Sequence, residues 1–350
     1  MAISIQFTMP NVSQPALAGL SALERLPVEI IQEIFLHCLE VNLPRASIHI
    51  SRALSNTVLY TWVTRYVFSS TNESSRQDFF TPDFLPWPLD VFALSPNERR
   101  DLQNVILSCR WCTLPLIRKC QREYIEHTIR RKCLQLDLSP GDRQVLINIG
   151  EQFDKDLPLM PDETPHAHRG KGDLILKAKI PKSDVDCKVA VWFNAGAVQI
   201  RPSSEIYQET DIFRLPCFAA NLPVRVPDKL LFPPWTESKL DFLELLSMDG
   251  YLDEDPEHPR AKRILRQTIR DRDLATFKRL LSMRIRVPWY KYPIRWPVLP
   301  NHFYVALKYA DEVKDPFVRL LVSQRWEDIP SDDFQLKDQL MAKLGTGISG

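Results

Sequence analysis

Apolar residues recur at helical spacing near the start of the chain, between Ser21 and Phe68. A helix is predicted to begin at Pro27, because proline in the first turn leaves no amide hydrogen unbonded and Glu29 lies where the helix dipole favours a carboxylate. At about 100° per residue, the polar residues of this helix fall on one narrow stripe. They are Glu29, Gln32, Glu33 and His37. The apolar residues cover more than half of the circumference, which is more than one core can use.

A second proline-led segment follows this helix. It begins with Pro44 and places Ala46, Ile50 and Leu54 on one face, which predicts one or two short helices. A helical unit of roughly 45 residues buries too little surface to be stable alone. Its surplus apolar face should therefore pack against another chain or against the rest of this one. The polar run over 69–75 predicts a linker.

The next part of the chain combines an irregular segment with helices. Residues 79–97 mix prolines with aromatic residues, which predicts an ordered connector without regular structure. Helical spacing over 101–138, interrupted at Pro115, predicts two packed helices. The apolar face of the second helix should consist of Leu116, Ile117, Cys120, Tyr124, Ile125 and Ile129.

Strand periodicity appears only in the middle of the chain. Alternating apolar and polar residues over 174–180 predict a half-buried strand. The segments 188–193 and 197–200 flank a short connection that contains Gly196, and they predict a hairpin. Residues 157–172 carry prolines and few apolar residues, which predicts a loop.

From about residue 236 the pattern is helical again, and a Phe-x-x-Leu-Leu phrase recurs. It begins at Phe242, Phe277 and Phe317, with spacings of 35 and 40 residues. Apolar helix candidates at 264–269 and 303–309 precede the second and third copies, so each unit could be a helix pair stacked on the next. The pattern resembles degenerate ankyrin-type repeats without their Thr-Pro-Leu-His phrase. An irregular helical domain is the alternative.

These patterns predict a mainly α protein with a small β unit (α+β). The predicted divisions are a flexible leader over 1–22, a helical unit over 23–70, a linker and helical connector over 71–138, a loop and small β-sheet region over 139–235, and a C-terminal helical repeat-like domain over 236–343. The chain has only 10 glycines against 28 prolines and contains no glycine-rich phosphate-binding motif. Folds that hold phosphates on such turns are therefore disfavoured.

Charge and cysteine content restrict the partners and the compartment. The net charge of +1 provides no general attraction to nucleic acid or to an anionic membrane, and no apolar window is long enough to span a bilayer. Residues 1–23 lack charged side chains and include Pro10 and Pro15, unlike a signal peptide. Seven cysteines without secretion signals predict reduced thiols. We expect no membrane partner and a cytoplasmic or nuclear location.

Two clusters of residues could in principle bind a metal, but the spacing of one and the flexibility of the other argue against a site. One contains Cys109, Cys112, Cys120, His127 and Cys133; the other contains His166 and His168. The last three members of the first cluster fall on a helical pattern instead of the tight loop that presents a zinc ligand pair. The second cluster lies among prolines and glycines and is poorly organised for catalysis. We predict no metal, no cofactor and no catalytic residue.

A basic segment raises the question of nucleic acid. Residues 260–295 contain twelve lysines or arginines. Nearby aromatic residues are Trp289, Tyr290, Tyr292 and Trp296. Such a mixture over 260–296 could grip a single strand, or could recognise an acidic or phosphorylated protein segment. A solvated helix face is the more ordinary interpretation, and we do not expect nucleic acid to be a partner.

The N-terminal helical unit resembles the F-box family. That family shows Leu-Pro-x-Glu, then apolar residues at helical spacing, a leucine, and an apolar-x-basic-x-aromatic phrase. The matching positions are Leu26, Pro27, Glu29, Ile30, Ile34, Leu39, Leu43, Ile50 and Arg52. The sequence over 38–47 and 53–55 is similar to that of F-box proteins of filamentous fungi. Leu54 stands where tryptophan is usual, and the spacing between Ile34 and Leu43 is slightly stretched.

The resemblance implies a substrate-recruiting subunit of a Skp/cullin/F-box ubiquitin ligase, with no chemistry on this chain. Its F-box would bind a Skp-type adaptor and, through it, a cullin, and its C-terminal region would bind a protein substrate. The candidate adaptor-binding residues are Leu26, Pro27, Ile30, Ile34, Phe35, Leu39, Leu43 and Ile50.

Three alternatives stay open at this point. The chain could bind the adaptor as a scaffold without a ligase. The same apolar stripe could instead be core for the helices over 101–138. An enzyme built on residues 150–350 is the third, but it lacks a recognisable nucleophile, base and orienting group.

Overall fold

The computed structural model describes residues 20–70, 72, 79–154, 172–181, 184–194, 196–202, 210–213, 224–247, 250–252, 260–287 and 293–345. Its contacts divide the chain after Val63 into two compact units. The architecture is mainly helical with a small antiparallel sheet, which confirms the predicted fold class. Within these ranges no helix has the length and apolar content needed to cross a membrane.

Three helices form the N-terminal unit, the last of them continuing past Val63. They are α1 (Val28–Cys38), α2 (Ile48–Leu54) and α3 (Thr57–Phe68). Pro27 immediately precedes α1, as predicted, and Leu39 ends the helix in the left-handed conformation at φ 48°. The side chain of Ser47 accepts a hydrogen bond from the amide of Ile50 and so caps α2. The predicted helix starts therefore have their expected local chemistry.

Two helices, α4 (Pro96–Ser108) and α5 (Leu114–Cys133), follow in the second unit. Pro115 lies in the first turn of α5, so it begins the helix and does not interrupt one. The predicted apolar face of α5 is buried throughout its length. The prediction that helix continues to residue 138 is wrong, because Asp137–Leu138 form an edge strand, β1, paired with the next strand.

The connector over 79–97 is ordered by aromatic packing, as predicted. The rings of Phe84 and His127 stack with centroids 4.4 Å apart, and His127 Nε2 donates to the carbonyl oxygen of Phe79 at 2.5 Å. His127 lies on α5, so these contacts attach the connector to that helix. Burial lowers the pKa of His127, which favours the neutral ring in this packing.

A five-stranded antiparallel sheet follows, with its strands in sequence order. Beyond β1, the strands are β2 (Leu174–Ile180), β3 (Val185–Trp192), β4 (Ala197–Pro202) and β5 (Thr210–Ile212). The predicted strand and hairpin correspond to β2, β3 and β4. The sequence patterns missed β1, β5 and a helix, α6 (Pro140–Ile147). The predicted loop over 157–172 lies outside the described residues except for Gly172.

Helix α5 covers one face of this sheet. Its residues Ile125, Ile129 and Cys133 share a buried apolar cluster with side chains from three strands. The strand residues are Leu176, Val189, Val191 and Val198. The other face holds a smaller cluster around Trp192. Lys132 of α5 also forms a 2.5 Å ion pair with the buried carboxylate of Asp211 on β5, so α5 is fixed to the sheet by apolar and ionic contacts.

The β3–β4 connection requires glycine at position 196. Gly196 has φ +66°, and a Cβ there would lie 3.0 Å from Cβ of Phe213. We expect Gly196→Ala to lower the free energy of unfolding by about 1–2 kcal/mol, because an L residue strains this left-handed backbone. Gly141→Ala on α6 is the control, since a Cβ there meets nothing within 4 Å. Urea unfolding of both variants tests this; equal midpoints would contradict it.

Six helices make up the C-terminal part. They are α7 (Glu237–Ser247), α8 (Arg260–Arg270), α9 (Leu274–Ser282), α10 (Pro300–Lys308), α11 (Pro316–Arg325) and α12 (Phe334–Leu344). The three copies of the recurring phrase lie on α7, α9 and α11. A short hairpin of β6 (Arg284–Ile285) and β7 (Ile294–Arg295) connects α9 to α10.

The C-terminal helices pack as the predicted pairs. Helix α8 contacts α9, and α10 contacts α11; α8 also contacts α10, and α9 contacts α11. Equivalent residues of successive phrases meet, since the rings of Phe277 and Phe317 have centroids 5.2 Å apart. The guanidinium of Arg279 binds Glu244 at 2.6 Å and Asp241 at 2.8 Å, which joins α9 to α7. The array is therefore held by both apolar and ionic contacts.

His302 gives this array a pH-dependent stability. Its ring is buried; Nδ1 accepts from the amide of Leu299 at 2.9 Å, and Nε2 lies 3.0 Å from the carbonyl oxygen of Lys262, to which it donates in this tautomer. Burial lowers the pKa of His302 below its ordinary 6.5. The unfolded chain then binds more protons than the folded chain as the pH falls through 6.5. The contribution of His302 to the free energy of unfolding is therefore complete above pH 6.5 and declines as the pH falls below it.

We therefore expect the wild-type chain to lose stability between pH 7 and pH 5, and His302→Gln to lose less over the same interval. Urea unfolding at the two pH values measures the difference. His127→Gln is a useful comparison, since the pKa of His127 is lowered in the same direction. A pH dependence in His302→Gln as steep as that of the wild type would contradict this role.

Candidate partner-binding surface

One side of α1 is used by its own unit. Ile31, Phe35 and Leu36 are buried, and the amide of the Gln32 side chain donates to the carbonyl oxygen of Ala53 at 2.9 Å. These contacts hold α1 against α2. They occupy only part of the apolar circumference that the sequence provides.

The adjacent side of α1 is apolar and accessible. Pro27 and Cys38 are exposed, Ile30 is 41% exposed, and Ile34 is half-buried. Ile30, Ile34 and Cys38 follow one another at intervals of four residues, so they share one side of the helix. We call these four residues the α1 strip. Among the described residues of the N-terminal unit, no contact seals this strip, which leaves its apolar surface available to a partner.

Further apolar residues lie next to the α1 strip in sequence. Leu26, Leu39 and Leu43 are half-buried, Val28 is exposed, and Ile48 is 73% exposed. A single exposed apolar residue is normal on a protein surface, whereas a group of them within one small unit is typical of an interaction site. The N-terminal unit therefore presents an unusual density of accessible apolar side chains.

Two of the residues predicted to bind the adaptor are buried. Phe35 is 6% exposed and Ile50 is 2% exposed. These side chains belong to the core of the chain and offer little area to a partner without rearrangement. The remaining six candidates keep at least part of their surface accessible, so the candidate surface is narrower than the sequence motif suggests.

A polar contact at Glu24 fixes the segment that leads into α1. Hydrogen bonds from the side chain of Ser47 and from Ser21 lower the pKa of Glu24 to about 2. The amide of Ser21 donates to Glu24 Oε2 at 2.8 Å. This contact joins the approach to α1 with the N-terminus of α2. This contact was not predicted from the sequence; the Ser-x-x-Glu phrase over 21–24, which is typical of a capping box, could have indicated its Ser21–Glu24 part.

The potential zinc ligands are dispersed through the core. Burial raises the pKa of the thiols of Cys112, Cys120 and Cys133 to about 12, which favours the protonated thiol in this core. Across the described ranges, no three residues among His, Cys, Asp and Glu are grouped to hold a metal ion. His166 and His168 lie outside those ranges.

The basic segment over 260–296 is largely committed to internal contacts. Trp296 is fully buried, and its indole Nε1 donates to the carbonyl oxygen of Ala261 at 3.1 Å. It is therefore unavailable for stacking on a nucleobase. Arg260 is buried and pairs with Asp228 at 2.9 Å. Trp289, Tyr290 and Tyr292 lie outside the described residues. The buried members of the segment thus serve the C-terminal fold, whereas Arg270 and Lys278 are exposed.

The α1 strip is consequently the feature of the N-terminal unit that its own packing does not explain. Comparisons with protein-family models, with curated proteins and with solved structures find no match to this chain.

Proposed function

We propose that this chain is a substrate-recognition adaptor of a Skp/cullin/F-box ubiquitin ligase. Its N-terminal unit binds a Skp-type adaptor, and its C-terminal region binds a protein substrate. The observation that carries the proposal is the α1 strip, in which Pro27, Ile30 and Cys38 are exposed on a helix that follows a Leu-Pro-x-Glu phrase.

Helix-in-groove recognition provides the physical basis of the proposal. An amphipathic helix that keeps apolar residues at spacings of three and four accessible can place them in the apolar groove of a partner. The helix is already formed and packed on α2 through Ile31 and Phe35, so binding does not have to order it. Most of the binding free energy should then come from a few anchors near the centre of the contact.

We propose that the C-terminal array binds the substrate, and its architecture supports this role. Stacked helix pairs create extended surfaces that suit protein partners, and α8 to α11 are stacked in this way. The free thiols of Cys112, Cys120 and Cys133 agree with a reducing compartment. We accordingly propose a cytoplasmic or nuclear location.

Mixing the purified full chain with a purified Skp-type adaptor tests the proposal. A stable complex of one copy of each, measured by size-exclusion chromatography with light scattering, is the expected result. Failure of the wild-type chain to bind would contradict the proposal. Addition of a cullin then separates two roles: a ternary complex supports a ligase subunit, whereas a complex that excludes the cullin indicates an F-box scaffold.

A further inference from the structure

A pocket of about 430 Å³ lies beside the first half of α5. Its walls include Arg118, Lys119 and Arg122 of α5, together with Phe153, Phe193 and Asn194. Phe193 and Asn194 belong to the turn between β3 and β4, so helix and sheet both contribute. The volume falls in the range of about 300–1,000 Å³ that is typical of small-molecule sites.

Among the residues that the structure describes, every charged side chain that lines this pocket is a cation. Arg118 and Arg122 are four residues apart and project from the same side of α5. Lys119 approaches a carboxylate only at 3.9 Å, through Glu123, and its side chain is 52% exposed. A partly exposed ion pair of that length contributes little. The pocket therefore has a positive field that favours an anionic occupant.

Two hydrogen bonds hold the side chain of Arg118 in place. Its Nη1 donates to the carbonyl oxygen of Asn194 at 2.7 Å and to Gln121 Oε1 at 2.9 Å. Its Nη2 is shielded from solvent and has no hydrogen-bond acceptor within the part of the chain that the structure shows. Buried donors are normally satisfied. The guanidinium thus keeps a fixed positive charge beside the pocket, although its Nη2 is not accessible to an occupant.

Two aromatic rings also line the pocket. The rings of Phe153 and Phe193 meet edge to face with centroids 4.9 Å apart. The guanidinium carbon of Arg122 lies 4.9 Å from the centroid of the Phe153 ring. A ligand here therefore meets both cationic and aromatic side chains. Its complement is an anion that is attached to an apolar ring.

We propose that this pocket binds a phosphate monoester carried on an aromatic ring. The phosphate oxygens accept from the Lys119 and Arg122 side chains, and the charge of Arg118 adds to the attraction, since guanidinium groups match phosphate geometry and charged hydrogen bonds are the strong ones. The ring packs against Phe153 and Phe193. This site does not involve the α1 strip, and its occupancy does not depend on adaptor binding.

The test titrates the full chain with phenyl phosphate, inorganic phosphate and phenol by calorimetry. We expect phenyl phosphate to bind more tightly than either of the other two, because only it can contact both the cationic and the aromatic side chains. The variant Lys119→Glu/Arg122→Glu should weaken phenyl phosphate binding by about tenfold or more, since it reverses two of the three cations. Arg118 is left unchanged because it also supports the β3–β4 turn.

The control is Arg130→Glu/Arg143→Glu, which makes the same change in net charge at two exposed residues outside the pocket. It should bind phenyl phosphate as the wild type does. No binding of phenyl phosphate to the wild type, no advantage over inorganic phosphate, or equal weakening in both double variants would overturn the proposal.

A short phosphotyrosine peptide distinguishes two possible ligands with this chemistry, a modified side chain of a partner protein and a free small molecule. Binding of the peptide at least as tight as that of phenyl phosphate assigns the site to a modified side chain of a partner protein. Exclusion of the peptide while phenyl phosphate binds assigns it to a free small molecule.

Discussion

Ile30→Asp is expected to lower the affinity for a Skp-type adaptor by about 30- to 1,000-fold. The change places a carboxylate in the middle of the α1 strip, where docking would remove it from water without a partner charge. Loss of one buried anchor at an interface costs about 2–4 kcal/mol, which corresponds to that range in the dissociation constant. Calorimetric titration of the full chain with the adaptor gives the affinity.

The same substitution should leave the fold intact. Ile30 is 41% exposed, and changes at exposed positions away from special features usually alter stability by about 0.5 kcal/mol or less. Val105→Asp on α4 is the matched control, because Val105 is 43% exposed and lies in the other unit. If Ile30→Asp binds the adaptor as tightly as Val105→Asp does, the α1 strip is not the docking surface.

Arg99→Ala is expected to lower the free energy of unfolding by about 3–5 kcal/mol, an effect in the range found for broken buried charge networks. Arg99 lies in the first turn of α4 and is 7% exposed. Its Nη1 donates to the carbonyl oxygens of Val67 and Ser69, both at 3.1 Å, and its Nη2 donates to that of Val91. It thus satisfies carbonyl groups at the C-terminal end of α3, which have no intrahelical donor.

Arg100→Ala, at the adjacent position, is the control for this prediction. Arg100 pairs with the exposed carboxylate of Asp101 at 2.6 Å, and such surface pairs contribute about 0–1 kcal/mol. Urea unfolding followed by circular dichroism compares the two variants. Arg99→Lys should fall between them, since one ammonium cannot reproduce the forked contacts of a guanidinium. Similar losses for Arg99→Ala and Arg100→Ala would refute the bridging role of Arg99.

The regular parts of this fold could be predicted because their apolar spacing is long and strict. The buried face of α5 contains all six predicted residues, and β2 alternates between buried and exposed positions as its sequence does. The strands β1 and β5 span two and three residues, Asp137–Leu138 and Thr210–Ile212. Such short edge strands have no detectable periodicity, because their place is decided by pairing with a longer neighbour.

The burial of side chains that carry polar groups was the least predictable feature. Arg99 begins a helix rich in charge and has the sequence character of a surface residue, yet it is buried by carbonyl groups from α3 and from residue 91. Trp296 was also mispredicted. It stands among arginines, which indicates an exposed stacking site, but it lies in the core, where its indole N–H donates to the carbonyl oxygen of Ala261. Local patterns do not contain such contacts between distant segments.

The candidate surface was only partly predictable for a related reason. The sequence shows that α1 has more apolar circumference than one core uses, but it does not show which part the unit itself buries. The structure places Phe35 and Ile50 in the core and leaves Pro27 and Ile30 accessible. Packing on α2 makes this division, and it depends on contacts such as that of Gln32 with Ala53.

Amide hydrogen exchange of the full chain, with and without a saturating Skp-type adaptor, tests the central claim most directly. Docking through the α1 strip should suppress the local opening of α1, so the amides of Val28–Cys38 should exchange more slowly in the complex. The amides of α4 that follow Pro96 should be unaffected. Unchanged exchange in α1 when the adaptor is bound, or protection confined to other segments, would contradict the account.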